Sequence, residues 1–387
     1  MRIRSRAGIA VATTFCLLGV ALMAPRSGVS ETKKAAEKPI LKNVQTTGLE
    51  IGWAGRINFG PNGLLLVGDR TTASVVAIDT GDVGPVKKLK KKVDKIDDLV
   101  AAALGAKSDA VTIEDMAVNP KSGKIYLSVN RKADRVSAIL VIDDEGKVSN
   151  LNLKTAKYVR VGLPNEDGKL SNITGVQFAG DRVLAAGQSR EEFANKIYVL
   201  PLPLTHGESA SIYSARTYHV AHRRWETKAP IQSFVPYEED GKNYIVGAFA
   251  CTPIARFPID DLEKNAKVIG ESVVELGSGN RPVDMFTYQK DGKRWLVTNT
   301  DRFHWARKGG FGPSKYWGVR VSIDLLNTDK INEEAVRRDI KTKKDPSGIE
   351  IVDALFGARY VDKLNNEEII VLRDNNGKLD LDIAKLP

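Results

Sequence analysis

Cysteine is almost absent from this chain: two occur in 387 residues, and histidine numbers only four. Cys16 falls in the N-terminal apolar segment, so Cys251 is left without a partner for an internal disulfide. Stability must then come from a hydrophobic core, which a chain of this length can supply. Also missing are a Cys-x-x-Cys-His haem site, a Gly-x-Ser-x-Gly elbow, a phosphate-binding loop and a His-Glu-x-x-His helix. Their absence argues against self-contained c-type electron transfer, the common hydrolase motifs and nucleotide binding, so neither haem nor nucleotide is expected as a cofactor. Beyond residue 24 no apolar run is long enough to cross a membrane.

The one long apolar stretch, residues 8–24, is preceded by Arg2, Arg4 and Arg6 and interrupted by Thr13 and Thr14. That pattern reads as a signal peptide over residues 1–30, and it places the chain in the periplasm or outside the cell. A retained N-terminal anchor is the alternative. Residues 31–38 read as a flexible segment, and residues 39–387 as one domain. The net charge is +10, of which four positives lie in or beside the leader. The densest basic run, residues 87–92 with Lys95, leads into an amphipathic pattern and reads as a solvated face. No nucleic-acid motif accompanies it, so no nucleic-acid partner is expected.

What the chain has in abundance is repetition. RINFGPNGLLLVGDRTTASVVAID at residues 56–79 recurs as DMAVNPKSGKIYLSVNRKADRVSAILVIDDEGK at 115–147, with weaker copies from Gly175, Ser233 and Asp284. Each copy reads as strand, tight turn, strand, polar loop and strand. Aligning the first strands puts Arg56, Asp115, Gly175, Ser233 and Asp284 in one register, at intervals of 59, 60, 58 and 51 residues. Stacked units of this kind bury their faces only against one another. A sixth unit follows from Ile349. The expected fold is therefore all-β, a six-bladed β-propeller with small helical insertions; seven blades fit less well, because residues 324–347 lack a strand pattern. Residues 39–53 would supply the missing strand that closes the ring. Fourth strands are expected at 147–161, 211–222 and 267–276. Helices are expected over residues 93–105 and 332–340, and an inserted basic-aromatic loop over 303–317.

Candidate site residues lie where the loops entering the inner strands meet the channel. Glu114, Asp115, Thr174, Gln232 and Asp284 hold those positions. Glu114, Asp115 and Asp284, with Asn299, could converge as oxygen ligands for one divalent cation, calcium being favoured. The same aspartates could equally cap turns. The second strands end in Asp69-Arg70, Asn130-Arg131, Ser189-Arg190 and Asp301-Arg302. These pairs suggest either a ring of unit-to-unit ion pairs or a cationic mouth, with Arg131, Arg190 and Arg302 binding an anionic ligand. The stretch YHVAHRRWETKAP, residues 218–230, should cross the channel face in its second half. It offers His222, near Glu226, as a general base, and Trp225 as a ligand contact. His304 could approach the same mouth. His219, His222 and Cys251 fit the parts of a copper site, although a buried free cysteine is commoner.

The copies at 56–79 and 115–147 resemble NHL-type and SMP-30/gluconolactonase-like propellers through their strand–Pro-x-x-Gly–strand pattern. IEDMAVNPKSGKIYLSVNR, SREEFANKIYVLPLPL, HVAHRRWETKAP and CTPIARFPIDDL with GNRPVDM more closely resemble an uncharacterised exported propeller family. The lactonase-like resemblance implies a divalent cation in the channel, held by an early Glu and by later Asn and Asp residues. Glu50, with Asn130, Asn299 or Asp284, would stand at those positions. Three functions follow as expectations. The favoured one is a monomeric exported module that binds a ligand or an exported partner protein at a channel face. The second is a metal-assisted lactonase or esterase with His222 and Glu226 moving the proton. The third is a periplasmic redox partner.

Overall fold

Tight turns of a few residues set the strand pattern. Asp240-Gly241, Asp291-Gly292 and Asn376-Gly377 each take positive φ at both positions, between 50° and 84°. They join the antiparallel neighbours Glu239 and Lys242, Lys290 and Lys293, and Asn375 and Lys378. Two consecutive left-handed residues match the twist of the strands they connect, and Asp-Gly and Asn-Gly adopt that shape at least cost. The computed structural model describes residues 39–219, 223–250, 253–260, 265–276, 279–302, 314–327 and 347–387. The leader, Cys251, His222, His304, residues 303–313 of the basic-aromatic loop and the helix expected at 332–340 lie outside them. No helix among the described residues is long and apolar enough to cross a membrane.

Antiparallel units recur along the chain in a propeller-like, all-β arrangement. The inner strands are Ala54–Phe59, Val111–Val118, Leu170–Phe178, Ile231–Glu239, Asn280–Lys290 and Ala358–Lys363. The units they begin are numbered first to sixth here. The third and fourth units fuse at their rims, because Ser211–His219 and Lys267–Glu275 pair in parallel. The helix in the 93–105 insertion is present over Ile96–Ala103, and it buries Ile96 and Val100.

The spatial order of the units differs from their order in sequence. Each apolar layer lies between two units. Val67 and Ile78 of the first unit pack with Tyr126 and Ile139 of the second. Leu66 and Val75 of the first also pack with Ile173 and Val183 of the third. The second unit packs Leu127 and Val129 against Ile370 and Leu372 of the sixth. Third against fourth, fourth against fifth and fifth against sixth complete the cycle. Among the described residues the packing order is therefore second, first, third, fourth, fifth and sixth, with the sixth also against the second.

This order corrects several expectations. Residues 39–53 do not close the ring: Leu41–Lys42 pairs with Leu204–Thr205, and Gln45 bridges Tyr158, both at the rim of the first and third units. The expected strand at 147–161 divides. Val148–Asn150 stays with the second unit, while Lys157–Gly162 becomes the outer strand of the first, after the turn Leu153–Thr155 that Asn152 caps. The sixth unit does not begin at Ile349. Ile349–Val352 is the outer strand of the fifth unit, and the sixth has three strands.

A strap over residues 80–95 makes the permuted order possible. It leaves the first unit and passes the turns of the second, where Lys87 and Lys90 amides bond the Ser122 and Asp144 carbonyls at 2.8 Å each. It then bridges the sixth unit through Val93 and Leu381. The basic run lies on this strap, and three of its lysines are paired with carboxylates. Lys88 pairs with Glu368, Lys90 with Asp144 and Glu145, and Lys92 with Asp94 and Asp380.

Candidate functional site

All the inner strands break register at one level. The irregularities fall between Ala54 and Ile57, Ile113 and Asp115, Ile173 and Gly175, Ile231 and Ser233, Pro282 and Met285, and Ala358 and Tyr360. A bulge turns a side chain out of the sheet alternation and toward a new neighbour. Here it gathers charged groups from different units at the channel wall.

Arg56 is the centre of that gathering. Its Nη1 donates to Asp115 Oδ1 at 2.9 Å and to Asp284 Oδ1 at 3.1 Å, and its Nη2 donates to the Val283 carbonyl at 2.7 Å. The second carboxylate oxygens are also engaged. Asp115 Oδ2 accepts the Ile57 amide and Asp284 Oδ2 accepts the Val361 amide, both at 2.8 Å. Asp362 repeats the device by accepting the Val118 amide at 2.7 Å. Each carboxylate thus ties its own inner strand to the next unit around the ring, from second to first, fifth to sixth and sixth to second. Asn130, Asn195 and Asn299 add ties in the same direction, to Ala54, Ile231 and Ala358.

Burial governs the protonation of these groups. It pushes the Asp115 and Asp284 carboxyls up while Arg56 pulls them down, and Asp284, which also feels Asp115, is pushed well above the ordinary range. Burial lifts Asp362 to about 7 and Tyr360 to about 12. Arg56 stays protonated, its loss to burial outweighed by the two aspartates. The Tyr360 hydroxyl donates to the Ile113 and Glu114 carbonyls at 3.1 and 3.0 Å. The space left in the channel beside these groups is about 40 Å³, enough for a water or two.

Of the four expected cation ligands, then, Asp115 and Asp284 do meet, and the cation between them is Arg56. Asn299 spends its side chain on backbone: Oδ1 accepts the Asp284 amide and Nδ2 donates to the Ala358 and Arg359 carbonyls, each at 3.0 Å. Glu114 is partly buried, and burial raises its pKa against the pull of Asn130, Arg70 and Arg56. Among the described residues, no group of three or more His, Cys, Asp or Glu side chains is placed to hold a metal ion.

Among the described residues, the repeated pairs at the second-strand ends form no ring of unit-to-unit ion pairs. Asp69 binds Arg160 of its own unit at 3.0 Å and caps the Gly52 and Trp53 amides. Asp301 pairs with Arg281 and Lys315, again within its unit. Asn130 crosses to a neighbour, bonding Ala54. The arginines diverge: Arg70 lies over Trp53 at 4.2 Å and Arg302 over Trp317 at 4.3 Å, while Arg131 pairs with Asp134 at 2.6 Å. Arg190 stands exposed on the loop after its strand. Arg131, Arg190 and Arg302 belong to three different units.

The 218–230 stretch folds back instead of crossing the channel. Arg224–Glu226 pairs with the outer strand of the third unit, so Trp225 sits on the rim at 47% exposure, against Tyr218 and Arg216. Glu226 is buried. Burial pushes its pKa up, but the Lys228 amide, His219 and Arg224 outweigh that, and the carboxyl is held low. His219 is fully buried, with its ring against Phe249. Its suggested partners His222 and Cys251, and also His304, lie outside the described residues.

Arg56, Tyr360 and Asp362 escaped the sequence reading of the site. Arg56 was visible in principle, since it begins the first aligned copy and stands where the others carry Asp115 and Asp284. An arginine aligned with aspartates at one level of a ring is the pattern of a buried ion cluster. Asp362 and Tyr360 are hidden from the sequence because a sixth unit beginning at Ile349 starts nine residues ahead of its inner strand, Ala358–Lys363.

No known sequence family matches the chain, and no curated protein is similar to it. Solved structures with a related arrangement include the PQQ-bound aldose sugar dehydrogenase of Streptomyces coelicolor. It is 13% identical with a TM-score of 0.37, and the match covers 90% of this chain and 100% of that one. Semaphorin 1a of Drosophila, extracellular domains 1–2, is 11% identical with a TM-score of 0.39, covering 89% and 88%. A Trichoderma reesei carbohydrate-active enzyme of family AA12 is 11% identical with a TM-score of 0.34, covering 90% and 98%.

Proposed function

We propose that the chain is an exported six-bladed β-propeller acting as a binding module, which recognises a ligand or an exported partner protein at a channel face. The observation that carries this reading is the engagement of Arg56 by Asp115 and Asp284. A catalytic channel of the metal-assisted kind needs carboxylate oxygens turned toward a cation and a substrate. Here those oxygens are taken by a guanidinium and by strand amides, an arrangement suited to holding units together. The count of six rests on the bulged inner strands and on the apolar layers between units. Export rests on Arg2, Arg4 and Arg6 ahead of the apolar run.

The competing reading, a lactonase-like hydrolase with a cation on Glu114, Asp115, Asp284 and Asn299, requires Arg56 to leave the channel wall and Asn299 to give up its backbone bonds. Turnover assays on aliphatic lactones and aryl esters, with calcium, manganese or zinc added, separate the two. The binding module predicts no turnover above the buffer rate. Metal-dependent turnover that Asp284→Asn abolishes would replace it with the hydrolase.

A further inference from the structure

Away from the channel, the third unit carries a second cavity. It is lined by the loop ahead of inner strand Leu170–Phe178, the loop after Arg182–Ser189, the strand Asn195–Pro201, the first residues of outer strand Ser211–His219, and Asn265. Its volume is about 310 Å³, at the small end of ligand pockets (~300–1,000 Å³). Its walls hold two ammonium groups, Lys169 and Lys196, and two carboxylates, Glu166 and Glu191.

Lys196 is the unusual member, only 8% exposed. A buried ammonium is costly unless it is paired. Glu191 Oε2 lies 2.6 Å from its Nζ, and Ser214 Oγ lies 3.0 Å away. An ammonium has three N–H donors, so one remains for an acceptor in the cavity. Lys169 reaches the other oxygen of Glu191 at 3.7 Å. Glu191 is therefore flanked by both lysines, while Glu166 stands on the facing loop. Asn165 and Asn265 add polar wall, and Leu170 and Ile212 add apolar wall.

Among the described residues, the wall carries two charges of each sign. A simple anion drawn to the lysines meets two carboxylates, and a simple cation meets two ammoniums. A neutral sugar offers hydroxyls to all four groups but no charge to match theirs. A molecule carrying one charge of each sign, spaced by a few bonds, satisfies both sets at once. We propose that this cavity binds a small zwitterion, a free amino acid or dipeptide, with its carboxylate toward Lys169 and Lys196 and its ammonium toward Glu166. This proposal is independent of the channel reading.

The test is calorimetric titration of the purified protein with L-amino acids grouped by side chain and with alanylalanine. N-acetyl and C-amide forms of whichever compound binds serve as controls. The expected result is saturable one-to-one binding that weakens at least tenfold when either end is blocked. Binding of the dipeptide with none of the single amino acids would identify the longer ligand. Lys169→Ala serves as the variant, because loss of Lys196 would strip Glu191 of its close partner. It should weaken binding at least fivefold with an unchanged melting temperature. Absence of binding by every zwitterion, equal binding of the blocked forms, or indifference to Lys169→Ala overturns the proposal. Saturable binding of glucose or glycerol 3-phosphate in their place overturns it too.

Discussion

The guanidinium of Arg56 and the carboxylate of Asp284 lie 3.1 Å apart although 228 residues separate them. The first and fifth units are not neighbours, so this contact crosses the channel, with Asp115 of the second unit as the third member. Removing Arg56 leaves the buried carboxyls of Asp115 and Asp284 without their cation, and breaking a buried pair in this way costs roughly 3–5 kcal/mol. Arg56→Met should lower unfolding stability by about that amount in urea titrations. Asp284→Asn should cost clearly less, because burial and Asp115 already favour the neutral form of Asp284. Equal losses for the two variants would contradict the assignment.

Asp362 makes stability depend on pH. In the folded chain burial holds its proton up to about pH 7, whereas an unfolded aspartate releases it near pH 4. Between those values the unfolded state binds fewer protons, so raising the pH favours unfolding; below and above the window the contribution is flat. Comparing wild type with Asp362→Asn across this window isolates the group. The variant should gain on wild type as pH rises, by at most about 1.4 kcal/mol per unit. A constant difference would mean that Asp362 titrates normally.

The strap that permits the permuted order is anchored by Asp380. This residue is 4% exposed and accepts the Lys95 amide at 3.0 Å, Lys92 Nζ at 2.7 Å and Asn375 Nδ2 at 3.1 Å. Asp380→Ala strands a backbone donor and should cost about 1–3 kcal/mol. Hydrogen exchange should quicken at the amides of Val93 and Leu381, which bond each other's carbonyls at 2.9 Å. Unchanged exchange there would show that the strap is held by other contacts.

Gly175 marks how closely the third and fourth inner strands approach. A Cβ at this position would lie 2.7 Å from Phe234 Cε1 and 2.9 Å from its Cδ1. Gly175→Ala should destabilise by about 1–3 kcal/mol through overpacking, and Phe234→Leu in the same chain should recover part of the loss. A stable Gly175→Ala protein would show that the two strands can separate at little cost.

The repeat made much of the architecture legible. Strand, tight turn and strand could be read from apolar runs bounded by Asn-Gly and Asp-Gly, and the helix at Ile96–Ala103 from its apolar spacing. The order of the units could not be read. Order depends on where a long connection lands, and the strap over residues 80–95 carries no strand pattern that names its partner. The assignment of Lys157–Gly162 to the first unit was hidden for the same reason: an outer strand pairs on one side only, so its apolar pattern fits any rim. At the channel, the aspartates and Arg56 could be aligned across copies, but that they pair with one another could not be read. Whether aligned carboxylates meet a metal, an arginine or strand amides is decided by the bulge geometry, and a one-residue bulge leaves no mark in composition.

Calcium titration of chelator-treated protein, followed by calorimetry, tests the central claim most directly. With Arg56 seated between Asp115 and Asp284, wild type should show no saturable one-to-one calcium binding. Saturable binding near one equivalent in wild type, lost in Asp284→Asn, would contradict the account and hand the channel to a metal.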